Sequence, residues 1–359
     1  MRKLLSNDSV NTIQSIKKYY NLKNEHNTNE KLDEYLNSKK PKHIVLMVLD
    51  GLGYSFLDKV PFLKEHCFEK IDTVFPPTTA CATITLQTGL YPCEHGWLGW
   101  AQYFKEYDAT IELFSGLNYS TTEFQNPVEV NKDISFTPFY LDIKNNKKFF
   151  PSFDPNGYDE FSDLLDGVKE HISSHEETFS YAYWHEPDHV LHLDGSNGEN
   201  TLKTLSEIDN LIRNFSSDLE DTVVIITADH GHIDCSGLHL NDYPKLTECF
   251  VRLPSIEPRC VNMFIKDGME VQFLNECRRF EEHFSIFTKE EFLKSDFFNK
   301  GNHHPKVNDF LGDFILIATG DYFFYGHKPV DPNLPALEFK SMHAGNTNIE
   351  MEIPLIIID

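Results

Sequence analysis

The run His43-Ile44-Val45-Leu46-Met47-Val48-Leu49 is apolar from Ile44 onward, does not alternate, and closes on Asp50-Gly51. A strand with one wet face alternates polar and apolar residues. A run without alternation belongs in a sheet covered on both faces, the usual setting of parallel strands. The pattern recurs twice. Phe179-Ser180-Tyr181-Ala182-Tyr183-Trp184 leads to His185-Glu186-Pro187-Asp188, and Thr222 to Ala228 leads to Asp229-His230-Gly231. Between these two, Leu202, Leu205, Ile208, Leu211 and Ile212 mark one face of an amphipathic helix. Strand–helix–strand order predicts an α/β fold, a doubly wound and mostly parallel sheet flanked by helices.

Around this frame, residues 1–40 read as a polar helical lead-in, with Val10, Ile13, Ile16 and Tyr20 at helical spacing. Residues 41–359 read as one catalytic domain. Within it, the stretch from about 241 to 340 is expected to hold an inserted cap. It mixes strand-like runs (Val261–Ile265, Phe314–Ala318) with helical ones (Glu270–Phe284, Lys289–Leu293). Ile353–Ile358 is expected to be the last strand. The 359 residues suffice for a large buried core.

The formal charge of -24 argues against a general nucleic-acid binder, since a phosphate backbone would be repelled. It leaves phosphate substrates open, because bound cations can reverse the local field. No apolar run approaches the roughly 18–20 residues of a membrane span. The opening MRKLLSNDSVNTIQ turns polar at Ser6, unlike a secretory leader. The 7 Cys form no CxxC pair and are odd in number, which reads as reduced thiols. The expectation is a cytoplasmic protein with a small-molecule partner, no stable nucleic-acid binding and no membrane; the oligomeric state stays open.

Open α/β sheets bind ligands at the carboxyl ends of their strands. Asp50, Asp188 and Asp229 stand at those ends, and a buried carboxylate calls for a cation. His192 follows Asp188 by one helical turn, and His230 follows Asp229 directly. His343 lies in Met342-His343-Ala344-Gly345-Asn346, just before the last strand. Singly, each has an ordinary explanation: a turn, chance among 17 His, a polar strand exit. Phe75-Pro76-Pro77-Thr78-Thr79-Ala80-Cys81-Ala82-Thr83 reads as a loop entering a helix. A hydroxyl there can lie beside a bound anion, or simply cap the helix.

Together, Asp50-Gly51, Thr79 ahead of Thr88-Gly89-Leu90-Tyr91-Pro92, Glu186-Pro187-Asp188 with His192, Asp229-His230-Gly231 and the late His343 resemble the alkaline phosphatase superfamily. Within it they resemble the type I phosphodiesterase/nucleotide pyrophosphatase branch. The resemblance spans residue 43 to the end. It implies an alkaline phosphatase-like fold with one metal held by Asp188, His192 and His343. A second would be held by Asp50, Asp229 and His230, with Thr79 Oγ as a further ligand. These donors suit zinc, with manganese as the alternative. The implied reaction is hydrolysis of a phosphodiester or pyrophosphate bond in a nucleotide-like small molecule, through a phosphothreonine on Thr79.

Two positions depart from the family pattern. Ala82 stands where an Asn contacts the phosphate, and Leu191 stands where Gly precedes His192. The Ala80 N–H, Tyr103, Lys105 and the Gly96–Trp100 segment are candidate replacements for the Asn. Trp97 and Trp100 read as packing before stacking, and Arg252 and Arg259 as scaffold ion pairs before anion contacts. His95, His232 and His239 are placed outside the ligand set, with a hydrogen bond to a ligand as the expected role. Alternative readings are a phosphomonoesterase or phosphonate hydrolase on the same frame, a phosphomutase, and a non-catalytic metal-binding protein. No C-x-P-x-R segment is present for a sulfatase.

Overall fold

The computed structural model describes residues 2–325 and 338–359. The apolar runs become adjacent strands of a six-stranded sheet. His43–Leu49 lies at its centre, hydrogen-bonded in parallel to Thr178–Trp184 on one side and Thr222–Thr227 on the other. All three strands are buried along their whole length, as non-alternating runs require. Asn146–Phe149 adds a parallel edge beside Thr178–Trp184. The last strand, Glu352–Ile358, pairs antiparallel with Thr222–Thr227 and Cys67–Asp72. The sheet is therefore mixed, with a parallel middle. The helices Phe161–Ser173 and Glu199–Ser216 cover it, the latter through Leu205, Ile208 and Ile212.

A second six-stranded sheet is antiparallel throughout. Its order is Phe284–Thr288, Phe314–Ala318, Cys260–Met263, Ser255–Ile256, Ala101–Phe104, Ala109–Glu112. It thus draws two strands from the segment that follows the Thr79 helix. The helical expectation for Glu270–Phe284 fails at its end. The helix stops at Cys277, and Phe284 opens a strand. Phe273, Phe280 and Phe284 all reach one buried cluster, so an apolar spacing that fits a helix is met instead by a helix, a turn and a strand. Lys289–Leu293 is helical as expected, its start fixed by a Thr288/Glu291 capping box.

The N-terminal helices, Ser9–Tyr19 and Glu30–Lys39, are anchored to the core by Ile13, Ile16, Leu32 and Leu36. The first of them rests on the helix Thr79–Thr88. Gln14 Nε2 donates to the Gly89 carbonyl at 2.8 Å, and the Tyr91 hydroxyl donates to Asp8 at 3.0 Å.

Candidate active site

Strand register alone brings three carboxylates to one point. Asp50 N donates to the Trp184 carbonyl (2.9 Å), and Asp188 N donates to the Asp50 carbonyl (3.0 Å). Gly51 N donates to Asp229 Oδ1 (3.0 Å). Gly51 has φ +75°, and a Cβ there would lie 3.0 Å from Asp188 Cα, so the Asp-Gly turn is also what lets the two chains approach. Asp188 opens the helix Asp188–Asp194, which carries His192 one turn on. Thr79 opens the helix Thr79–Thr88 behind the N-cap Thr78. His343 follows the short strand Ser341–Met342, which pairs with Ile233–Asp234 just beyond Asp229-His230-Gly231-His232.

The histidines could bind metal. Nδ1 of His192 faces the Ser341 carbonyl at 2.9 Å, Nδ1 of His230 the Gly231 carbonyl at 3.2 Å, and Nδ1 of His343 the Pro77 carbonyl at 3.2 Å. A carbonyl only accepts, so each Nδ1 carries the proton and each Nε2 offers a lone pair. Those lone pairs converge on the carboxylates. Nε2 of His230 lies 3.3 Å from Asp50 Oδ1, and Nε2 of His192 and His343 lie 3.4 and 3.7 Å from Asp188 Oδ1. Thr79 Oγ is 3.2 Å from His230 Nε2 and 3.3 and 3.5 Å from the Asp50 oxygens. Two donors about 2.1 Å from one tetrahedral ion sit about 3.4 Å apart, so these spacings would suit shared ligands.

The charge balance also calls for cations. Burial, and then the charge of Asp188, pushes the Asp50 carboxyl well above its usual range, although Tyr183 donates a hydrogen bond to it. Burial, and then the Asp50 charge, does the same to Asp229. Among the described residues, Asp229 Oδ2 is buried with no hydrogen-bond partner; His230 Nε2 is 3.6 Å away. Burial also works against the charge on Asp188, but His192, His232 and His343 outweigh it and hold that carboxyl well below its usual range. Asp50, Asp229 and His230 form one set of atoms close enough to hold an ion. Asp188, His230, His232 and His343 form another.

The family model described as type I phosphodiesterase / nucleotide pyrophosphatase matches residues 44–345. The chain belongs to that family. It is a hydrolase of the phosphodiesterase and nucleotide pyrophosphatase type, a metal-dependent class. No curated protein sequence matches it. Among solved structures, murine ectonucleotide pyrophosphatase/phosphodiesterase 5 is similar at TM-score 0.66 and 17% identity, with 87% of each chain covered. An inactive form of the murine protein, in complex with AMP, gives 0.65 at the same identity and coverage. The human counterpart gives 0.64 at 18% identity, over 88% of this chain and 87% of the other. This likeness carries the alkaline phosphatase-like fold.

In this type I phosphodiesterase a cavity of about 450 Å³ opens over Thr79, Asp188, His192 and His343. Trp100, Phe323, Tyr325 and Phe339 supply its aromatic walls, and Glu112, Tyr119 and Glu257 its polar side. Among the described residues no Lys or Arg lines it. Glu257 was not legible beforehand. Its Oε1 accepts from the Thr78 hydroxyl (2.5 Å) and the Trp100 N–H (2.7 Å), and burial raises its carboxyl to about 7. Thr78 therefore braces the loop before the nucleophile candidate instead of capping the helix with its side chain.

The secondary candidates separate cleanly. Trp97 is core, its indole N–H donating to the Ile134 carbonyl at 2.9 Å. Tyr103 and Lys105 lie outside the cavity lining. Arg252 pairs with Asp108, and Arg259 is buried against Glu350. Of the three extra histidines, only His232 touches a ligand candidate. His95 bonds Thr85 inside the core and His239 stacks on Tyr325, so among the described residues neither makes the expected bond to a ligand candidate. Proximity in sequence to a motif did not carry over to proximity in space.

Proposed function

We propose that this chain hydrolyses phosphodiesters of nucleotide-like small molecules with Thr79 as its nucleophile and zinc as its metal. The reading rests on one observation above all. Thr79 Oγ lies at the cavity wall, at co-ligand distance from His230 and Asp50. Asp188, His192 and His343 would hold one cation, and Asp50, Asp229, His230 and Thr79 the other. Bound cations supply charge stabilisation to the phosphate and lower the pKa of a coordinated hydroxyl.

The chain's own groups do the rest. The Thr79 hydroxyl has Asp50 as its nearest carboxylate acceptor, at 3.3 Å to Oδ2, and sheds its proton as Oγ bonds to phosphorus. The bond from phosphorus to the leaving oxygen breaks, and the leaving group departs as an alcohol carrying the net proton. Water then cleaves the phosphothreonine, releasing a monoester and restoring the hydroxyl. The first-turn N–H groups of Thr79 and Ala80 have no intrahelical acceptor, and they are the donors available to an anion in place of the side chain that Ala82 lacks.

The aromatic walls fit one flat organic group beside the scissile phosphate. The AMP complex of the murine relative supports such a group here. Thr79→Ala is expected to cut turnover of bis-p-nitrophenyl phosphate by orders of magnitude while metal content stays near two per chain. Thr79→Ser should keep partial activity. Rapid acid quench followed by peptide mass spectrometry should place the phosphate on Thr79. Label on Thr78, or a monoester turned over faster than the diester, would contradict the proposal.

A further inference from the structure

We propose that His232, oriented by Ser341, positions Asp188 for its cation and does not itself bind that cation. The inference rests on reading Asp188, His192 and His343 as one ion's donors. His232 is among the buried groups close enough to join that ion, so the question is whether it is a donor or a support.

Distance decides it. His232 Nε2 is 2.5 Å from Asp188 Oδ1. Two donors on one tetrahedral ion are held about 3.4 Å apart, as His192 and Asp188 are. At 2.5 Å two lone pairs would repel, whereas an N–H facing a carboxylate makes a short, charge-assisted hydrogen bond. Nε2 of His232 therefore carries the proton.

The other ring nitrogen agrees. His192, His230 and His343 each turn Nδ1 to a carbonyl, which fixes a lone pair on Nε2. His232 alone of the four turns Nδ1 to a hydroxyl, Ser341 Oγ at 2.8 Å. A hydroxyl can donate, and here it supplies the proton that leaves Nε2–H for Asp188. Ser341 thus sets two imidazoles in opposite tautomers: His192 through its carbonyl, His232 through its hydroxyl.

The arrangement is rigid. Ser341 is fully buried, and the pairing of Ser341 with Asp234 and Met342 with Ile233 fixes its register. A Cβ on Gly51 would fall 3.0 Å from His232 Cδ2, so the ring packs close against that turn where a side chain would crowd it. The hydrogen bond holds Oδ1 of Asp188 in the direction from which His192 and His343 also approach.

The test uses the full chain loaded with zinc or cobalt, as wild type, His232→Ala, His232→Gln and Ser341→Ala. Metal affinity is read by competition with a chromophoric chelator, stoichiometry by elemental analysis, and coordination by the cobalt visible spectrum. His232→Ala should weaken one of two ions about 10–100-fold. Stoichiometry at saturating metal and the cobalt band intensities should not change. His232→Gln, which keeps an N–H donor, should recover part of the loss, and Ser341→Ala should weaken the same ion less. Ser341→Ala removes a single oxygen and carries the test alone if His232→Ala does not fold. Unchanged affinity in the variants overturns the proposal, as does a cobalt spectrum reporting a lost nitrogen donor. A wild-type chain that binds no metal defeats the ligand assignment itself, and the proposal with it.

Discussion

Asp229 Oδ2 shows what the site demands of single atoms. It is buried, has no hydrogen-bond partner among the described residues, and belongs to a carboxyl beside Asp50. An unpaired buried charge is costly, and that cost falls on the metal-free protein. Chelation should therefore lower the wild-type melting temperature by several degrees. Asp229→Asn should bind fewer ions and show a much smaller shift on chelation, measured by scanning fluorimetry with and without chelator. A wild-type midpoint indifferent to chelator would contradict this. Asp50, Asp229 and His230 were legible because each stands at a strand end beside its own turn signal. Glu257 was not, since nothing local marks it. It reaches Thr78 from 179 residues away through the pairing of a second sheet.

At the scale of elements, a buried ion pair helps to join the two sheets. Arg259 Nε and Nη2 donate to Glu350 at 2.6 and 2.8 Å, and both side chains are fully buried. Glu350 also accepts from Gly345 N (2.7 Å), and its carbonyl accepts from Gly231 N (2.8 Å). One residue, Glu350, thus ties the turn between Ser255–Ile256 and Cys260–Met263 to the loops that carry His343 and His230. Arg259→Ala strands a buried carboxylate and should cost about 3–5 kcal/mol of stability, read by urea unfolding. Arg259→Met combined with Glu350→Met should recover much of that loss, since neither charge is then left alone. A single-variant loss under about 1 kcal/mol would show that the pair is dispensable. The sequence could place Arg259 in an ion pair but could not supply its partner, because pairing across 91 residues leaves no local trace.

For the whole molecule, we propose that both sheets and the N-terminal helices behave as one unit. Strands of the antiparallel sheet come from both 101–112 and 255–318, so no single cut frees it intact. Limited proteolysis should yield no stable, metal-loaded fragment ending near residue 240; recovering one would refute this. The parallel middle of the main sheet was readable from its non-alternating apolar runs, because burial on both faces forces them. The interleaved second sheet was not, because its strands are short and their partners distant. The final strand lies between Thr222–Thr227 and Cys67–Asp72 and not at an edge, and Lys70 pairs with Glu352 across 282 residues. During refolding, that gap closes only after a very long loop has closed, a slow search by chain-entropy arguments. Until it does, two strands show bare edges that invite intermolecular pairing. His343 arrives with the same segment. Protection from aggregation and completion of the proposed ligand set would therefore be gained in one kinetic step.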